Sequence, residues 1–326
     1  MLKSNNKSIA KGFIEYVQGL PAIYISLLVL FILVIVFFIG NPNFLSVYNM
    51  KAIGNATAIL LAVGLGQALV ILTGGIDLSV GGIISLISVI YILSLSKFGL
   101  FGFPITLIAA CATGLLNGII FTRLRIPSFV TTLGTGGIYI SITFLLSRAP
   151  LAAPANIYGH LDVVNGSILG IKNSWIIGLV VFAGYFIIQK YTYLGRTIYA
   201  IGSNEKMSWM SGINITRAKL LAFILSGLGA GISGMILSSN LYGGHALFGE
   251  PYILRSIAVV VVGGTALTGG AGGMLNTLVG ALIMSVIKNG MPVVGIDVYA
   301  QQTFLGILIV VAVAITFDRS KLIIIK

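Results

Sequence analysis

Ten apolar stretches of the sequence approach the length that a helix needs to cross a membrane. About 20 helical residues span the roughly 30 Å of hydrocarbon in a bilayer. Hydrophobic residues make up 57% of the chain and charged residues only 8%, against about 25% charged residues in soluble proteins. We therefore predict an all-α, polytopic membrane protein with about ten transmembrane helices. The predicted spans are 22–40, 56–73, 79–96, 103–121, 128–147, 174–189, 219–239, 256–268, 274–289 and 302–317.

The net charge of +12 is explained by topology and does not indicate nucleic acid. With the N-terminus inside and ten spans, both termini are cytoplasmic, and the basic residues divide unequally between the two sides. The cytoplasmic segments hold Lys3, Lys7, Lys11, Arg123, Arg125, Lys190, Arg196, Lys206, Arg217, Lys219, Arg319, Lys321 and Lys326, and the outer segments hold Lys51, Lys97, Arg148, Lys172, Arg255 and Lys288. An excess of Lys and Arg on the cytoplasmic side is the usual bias of inner-membrane proteins.

The basic N-terminus followed by an apolar run is similar to a secretory signal peptide. The apolar run is too long for such a peptide, and the segment FFIGNPNF contains no small-x-small cleavage site. We therefore predict that this run is retained as the first membrane helix.

The predicted spans divide into five before the segment 148–173 and five after it. An odd number in each half makes the second half enter the membrane in the opposite direction. This arrangement predicts an inverted repeat within a single transmembrane permease domain that covers residues 1–326.

Glycine is abundant, with 42 residues, and its spacing indicates two uses. Pairs such as Gly114/Gly118 and Gly227/Gly231 have the small-xxx-small spacing that allows close helix contact in lipid. Two clusters, at 72–82 and 261–273, instead lie where spans meet, and irregular backbone there must be buried or line water. Asp77 lies in the first cluster, and two interpretations remain open. It either caps the third helix at the cytoplasmic interface or takes part in solute passage.

The polar segment 190–218 interrupts the apolar chain and is predicted to be a cytoplasmic loop that carries a short helix. Ser203 is the predicted N-cap, Glu205 places negative charge in the first turn, and Gly212 ends the helix. Met207 and Met210, three residues apart, share one face and form a small apolar knob. Such a knob favours a transport subunit that is moved by another protein.

Several kinds of chemistry lack the residues that they need. The chain has no phosphate-binding loop, and the dinucleotide-like GLGAGISG at 227–234 lies within a predicted span. His160 and His245 fall in outer loops without a second ligand nearby, and the single Cys111 lies inside a span. We therefore predict no metal, no cofactor, no disulfide and no catalytic residues.

Seven segments together resemble the permease subunits of bacterial ABC importers for monosaccharides, the ribose-type branch. They are NFLSVYNMKAI at 43–53, VILTGGIDLSVGG at 70–82, LRIPSFVTTLGT at 124–135, LGRTIYAIGSNEKMSWMSGINITRAK at 194–219, SGLGAGISGMILSS at 226–239, IAVVVVGGTALTGG at 257–270 and NGMPVVGI at 289–296. The segments GGIDLS and YAIGSN are the most diagnostic. The chain departs from the family at Arg255, where many members have an acidic pair nearby, and at Ala271, where arginine is usual.

The resemblance implies a permease in the inner membrane that works with partners. A cytoplasmic ABC ATPase binds the loop between the sixth and seventh spans, an extracytoplasmic binding protein delivers the sugar, and two copies of the permease form the pathway within the lipid. The ATPase contact is expected at Gly195, Arg196, Gly202, Ser203, Asn204, Glu205, Met207, Met210 and Gly212. Pathway candidates, chosen as polar groups within or at the ends of spans, are Gln67, Thr73, Asp77, Ser79, Asn117, Thr131 and Thr132; for each, helix–helix hydrogen bonding or capping is the alternative.

Two other classes of protein remain for comparison. A secondary transporter driven by ions also favours inverted repeats, but it usually carries buried acids along its pathway, and Asp77 is nearly alone. A membrane-embedded enzyme would need a cluster of titratable groups within the membrane. The sequence therefore favours the permease of an importer for ribose or a similar pentose.

Overall fold

The chain forms a bundle of long helices joined by mostly short connections. The computed structural model describes residues 21–297, 299–301, 303–304, 306–307 and 310. Eight helices in this part of the chain have 19 residues or more, and four are shorter. In chain order they are α1 (Ala22–Gly40), α2 (Val47–Leu72), α3 (Val80–Phe98), α4 (Gly102–Leu124), α5 (Ser128–Leu146), α6 (Tyr158–Asn165), α7 (Asn173–Tyr191), α8 (Tyr193–Ser203), α9 (Glu205–Met210), α10 (Ile215–Leu241), α11 (Tyr252–Val262) and α12 (Met274–Val293).

Seven apolar helical segments are long enough to cross a membrane. One of them, Val80–Leu124, contains both α3 and α4. These two helices are antiparallel, because Tyr91 packs against Phe103 near the turn while Asn117 is bonded to Ser79 at the other end. The chain is therefore an all-α polytopic membrane protein, as predicted.

The observed helices differ from the predicted spans at several ends. The first helix has the predicted bounds, 22–40. Helix α2 begins at Val47, well before the predicted residue 56, because Ser46 caps it by accepting the N–H of Asn49 at 3.3 Å. The predicted eighth span, 256–268, is wrong: α11 covers only Tyr252–Val262, and at 11 residues it is too short to cross alone. The predicted tenth span, 302–317, lies largely outside the described residues.

Helix α10 is central, since it packs against α2, α3 and α4. Its contact with α4 uses the two predicted small-residue pairs. A Cβ added at Gly114 would overlap the Phe223 carbonyl oxygen, and one at Gly227 would lie 2.5 Å from the Ala110 carbonyl oxygen. On the opposite face, Gly66 of α2 lies against the backbone of Ser226. The predicted role of these glycines in helix contact is confirmed.

The two longest connections opposite the 190–218 segment are joined to each other. Strand β1 (Leu151–Ala152) pairs antiparallel with β4 (Gly243–Gly244), and the N–H of Ala153 donates to the carbonyl of Tyr242 at 2.8 Å. A second short pair, β2 (Ser167–Ile168) with β3 (Ile171–Lys172), lies within the 148–173 segment. These segments therefore form one surface at this end of the bundle.

Candidate functional site

The segment 73–79 between α2 and α3, called the first break, is a buried non-helical stretch. Its amide groups are satisfied by side chains of other elements. The N–H of Ile76 donates to Ser128 Oγ at 3.0 Å, and that of Leu78 donates to Thr132 Oγ1 at 2.9 Å. The Gln67 amide, oriented to match donors with acceptors, bonds both the N–H and the carbonyl of Asp77. Non-helical backbone within a membrane protein is stable only with such partners.

The Asp77 carboxylate lies at the centre of this region and is fully buried. One oxygen accepts the Ser79 N–H at 2.9 Å and the Ser79 hydroxyl at 2.5 Å. The other accepts the Ser226 hydroxyl of α10 at 2.7 Å. The predicted capping contact with Ser79 is therefore present, but Asp77 lies inside the helix bundle, where it also links the break to α10.

The network continues from Ser79 across the bundle. The Asn117 amide donates to Ser79 Oγ at 2.6 Å, and the Tyr139 hydroxyl of α5 lies 2.9 Å from Asn117 Oδ1. Buried polar groups joined in this way tie together helices that are distant in sequence. We call Gln67, Asp77, Ser79, Asn117, Thr132, Tyr139 and Ser226 the buried network.

Five of the seven pathway candidates belong to the buried network, and two do not. Thr73 donates its hydroxyl to the carbonyl of Val70 in its own helix, and the buried Thr131 hydroxyl has no partner. All seven are buried in this chain. Sequence reasoning missed Ser226, Tyr139 and Ser128, because no local pattern indicates that these residues lie close to the first break.

The second glycine-rich cluster also forms a non-helical segment, 263–273, which we call the second break. Five of its glycines have positive φ: Gly264, Gly269, Gly270, Gly272 and Gly273. The two breaks meet, because the Gly270 N–H donates to the Leu72 carbonyl at 3.1 Å. The sequence predicted each cluster separately and gave no sign of this contact.

The polar segment 190–218 contains two short helices, α8 and α9, where one was predicted. The predicted N-cap Ser203 is wrong: Ser203 is the last residue of α8, and Asn204 caps α9 by accepting the Met207 N–H at 3.0 Å. An amide side chain performs the same capping function. Glu205 lies in the first turn of α9, as predicted.

Gly212 ends α9 as predicted, in a Schellman motif. Its φ is 78°, its N–H donates to Trp209, and the N–H of Ile213 donates to Ser208. This pair of bonds satisfies the last carbonyls of the helix and requires the left-handed conformation that glycine adopts most easily.

The apolar knob projects from the protein and is larger than predicted. Met207, Trp209 and Met210 are each at least 60% exposed, so a tryptophan extends the predicted pair of methionines. Glu205 forms an ion pair with Lys219 of α10 at 2.8 Å. We call residues 204–212 the coupling surface.

Three predicted contact residues lie on α8. Arg196 is exposed, whereas Gly195 is buried where a Cβ would overlap the Gln189 carbonyl. A Cβ at Gly202 would overlap the Leu72 carbonyl. Both glycines thus allow close approach of α8 to the bundle, and neither adds a side chain to the exposed surface.

The two histidines lie in different segments at the end opposite α9. His160 belongs to α6, and His245 follows β4, with its N–H donating to Ser88 Oγ. Within the described ranges, no three His, Cys, Asp or Glu side chains are grouped to hold a metal ion.

Comparison with known proteins identifies the class. Residues 49–313 match the family described as the permease component of branched-chain amino acid transport systems, and the chain belongs to this family of permeases. No solved structure matches it. The transport-subunit prediction is thereby confirmed over an enzyme or an ion-coupled transporter, and the chain is a multi-pass inner-membrane protein whose class implies ATPase and solute-binding partners.

Individual relatives are similar over most of their length. The ribose import permease protein RbsC of Bacillus subtilis (strain 168) is 36% identical over 301 residues, which are 90% of this chain and 91% of the relative. The probable ABC transporter permease protein YphD of Escherichia coli (strain K12) is 35% identical, with 88% and 87% covered. The fructose import permease protein FrcC of Rhizobium meliloti is 32% identical, with 96% and 89% covered.

Proposed function

We propose that this chain is the permease subunit of an ATP-driven importer for a small sugar, ribose or a similar pentose. The observation that carries the proposal is the similarity to ribose and fructose import permeases over 90% and 96% of the chain. The family description names branched-chain amino acids, so sugars and amino acids are the two solute classes to compare.

Uptake by cells with and without the gene tests the solute. Labelled ribose should enter only cells that carry the gene, and unlabelled ribose should compete while leucine should not. Uptake should survive an uncoupler but not ATP depletion. Competition by leucine alone would contradict the sugar assignment, and sensitivity to the uncoupler alone would contradict ATP-driven import.

The proposed plan is an inverted repeat of five and five spans with both termini in the cytoplasm. Its support is that α2 and α10, antiparallel to each other, are each followed by a Gly-Gly pair and a further helix. The two following segments touch at Gly81 and Gly249, where a Cβ on either glycine would lie against the carbonyl oxygen of the other. Reciprocal contact is expected beside a two-fold axis in the membrane plane. Reporter fusions after residues 126, 205 and 322 should all report the cytoplasm; an external signal from any of them would contradict the plan.

The coupling surface, together with Gly195, Arg196 and Gly202 of α8, is proposed to receive the ATPase. Its support is an exposed apolar knob on a helix that is capped at both ends. Trp209→Ala should weaken ATPase binding at least tenfold, because buried tryptophans contribute heavily to interfaces. Tyr48→Ala, which removes an aromatic side chain that is 86% exposed at the opposite end, is the matched control.

The seven polar candidates remain the proposed pathway, and a second copy of the chain is proposed to complete it. Gly64 and Gly66 pack inside the chain, whereas Gly134 has no atom within 4 Å of an added Cβ. This difference favours α5 over α2 as a partner-facing helix in the lipid. The joined 148–173 and 240–255 segments are the proposed seat of the binding protein. One permease per ATPase pair, measured by the mass of the intact assembly, would contradict the dimer.

A further inference from the structure

Helix α8 holds the second break through Tyr199. The Tyr199 hydroxyl donates to the Gly272 carbonyl at 2.5 Å, and the Gln189 amide of α7 donates to that hydroxyl. The Gln189 carbonyl oxygen also accepts the Met274 N–H at 2.7 Å. Met274 begins α12, whose N-cap is a glycine without a side chain to bond it. Tyr199 and Gln189 therefore fix the end of the break and the start of α12.

Helix α8 touches the first break through Gly202. A Cβ there would overlap the Leu72 carbonyl and the Gly270 nitrogen, the two groups whose hydrogen bond joins the breaks. The end of α8 is thus packed against the junction of both breaks, and no side chain lies between them.

The coupling surface is attached to α8 without a flexible spacer. Only Asn204 separates α8 from α9. Its N–H donates to the Ala200 carbonyl at 3.1 Å, and its carbonyl accepts the Ser208 N–H at 3.0 Å. Because the linking residue is bonded in both directions, a force on the knob moves α8 as well.

We propose that α8 transmits movement of the coupling surface to both breaks, with Tyr199 and Gly202 as the two positioning residues. The proposal rests on the proposed role of the coupling surface as the ATPase contact. Packed rigid elements transmit small shifts because they move as units. The Glu205–Lys219 ion pair offers a second route to α10, but Glu205 is 53% exposed, and exposed ion pairs contribute little. Tyr199 controls the second break, and Gly202 controls the junction at the end of α2.

The test uses the complete transporter, with its ATPase and binding protein, in lipid vesicles. Tyr199→Phe removes one hydroxyl and keeps the ring, so that solute carried per ATP hydrolysed should fall about fivefold, the loss expected for one net hydrogen bond. Tyr193→Phe, on the same helix with its side chain 67% exposed, is the control. Gly202→Ala should reduce the same ratio further, while Gly137→Ala, where an added Cβ meets nothing within 4 Å, should not.

Hydrogen exchange separates transmission from folding. In the parent transporter, ATP should change amide exchange in both breaks. Tyr199→Phe should abolish the change in 265–274 and keep the change in 73–79, with the ATPase still bound. If both variants retain the parent ratio and exchange response while the ATPase needs Trp209 to bind, the α8 proposal is overturned and the coupling surface stands. If Trp209→Ala leaves ATPase binding unchanged, the coupling surface itself is wrong.

Discussion

Glu205 and Lys219 form an ion pair in which the ammonium nitrogen lies 2.8 Å from both carboxylate oxygens. The Lys219 side chain is only 13% exposed and also lies over the Phe121 ring, 5.2 Å from its centroid. The pair therefore attaches the exposed helix α9 to a lysine that is held in place by the bundle.

Reversing this pair tests its part in coupling. Glu205→Lys should place two cations together and lower transport per ATP, with little loss of overall stability because the glutamate is largely solvated. Vesicle uptake measured with ATP hydrolysis gives the ratio. The double variant Glu205→Lys/Lys219→Glu restores opposite charges and should recover most of it. Equal loss in the single and double variants would contradict a role for the ion pair.

Removing one partner of Asp77 should destabilise the bundle. Ser226→Ala deletes the hydroxyl that donates to the buried carboxylate, and an unsatisfied buried acceptor costs about 1–3 kcal/mol. Thermal unfolding of the detergent-solubilised protein should shift downward, whereas Ser141→Ala, on the exposed part of α5, should not change it. Unchanged stability with lost transport would instead favour direct contact between Asp77 and the solute.

Enlarging a glycine between α2 and α10 should be more harmful than enlarging one that faces outward. A Cβ at Gly229 would overlap the Ala62 carbonyl oxygen, while one at Gly184 meets nothing within 4 Å. Gly229→Val should therefore cost about 1–3 kcal/mol or more by overpacking, and Gly184→Val much less. The yield of folded protein on size-exclusion chromatography and its melting temperature compare the two. Equal tolerance of both substitutions would contradict the packing of α2 on α10.

Cysteine labelling tests the pathway residues. In a Cys111→Ala background, Thr131→Cys should react with a water-soluble thiol reagent in at least one nucleotide state, because its buried hydroxyl has no protein partner. Thr73→Cys, whose native hydroxyl is bonded within its own helix, should react more slowly. Absence of labelling at Thr131 in every state would remove it from the pathway.

The sequence was sufficient where the evidence is local or periodic. Hydropathy predicted the bounds of α1, and the small-residue spacing of Gly114/Gly118 and Gly227/Gly231 predicted a real helix contact. Hydropathy failed at α8, because that helix alternates apolar and polar faces and is too short to register as a span. It also failed at the start of α2, where polar residues such as Asn49 and Lys51 are helical.

Long-range contacts account for most of what was not predicted. Ser226 is 149 residues from Asp77, and Gly270 meets Leu72 across nearly two hundred residues of chain. The choice of Ser203 over Asn204 as the N-cap was an error of one position, because both residue types cap helices well and only the backbone conformation separates them.

The first break depends on α5 for two of its hydrogen-bond acceptors. Ser128 and Thr132 are four residues apart, so they lie on one face of that helix and serve Ile76 and Leu78 together. Rotation of α5 by one residue, about 100°, would withdraw both acceptors at once and leave two buried amides that only water could satisfy. Turning a single helix, without unwinding it, would therefore hydrate the middle of the molecule.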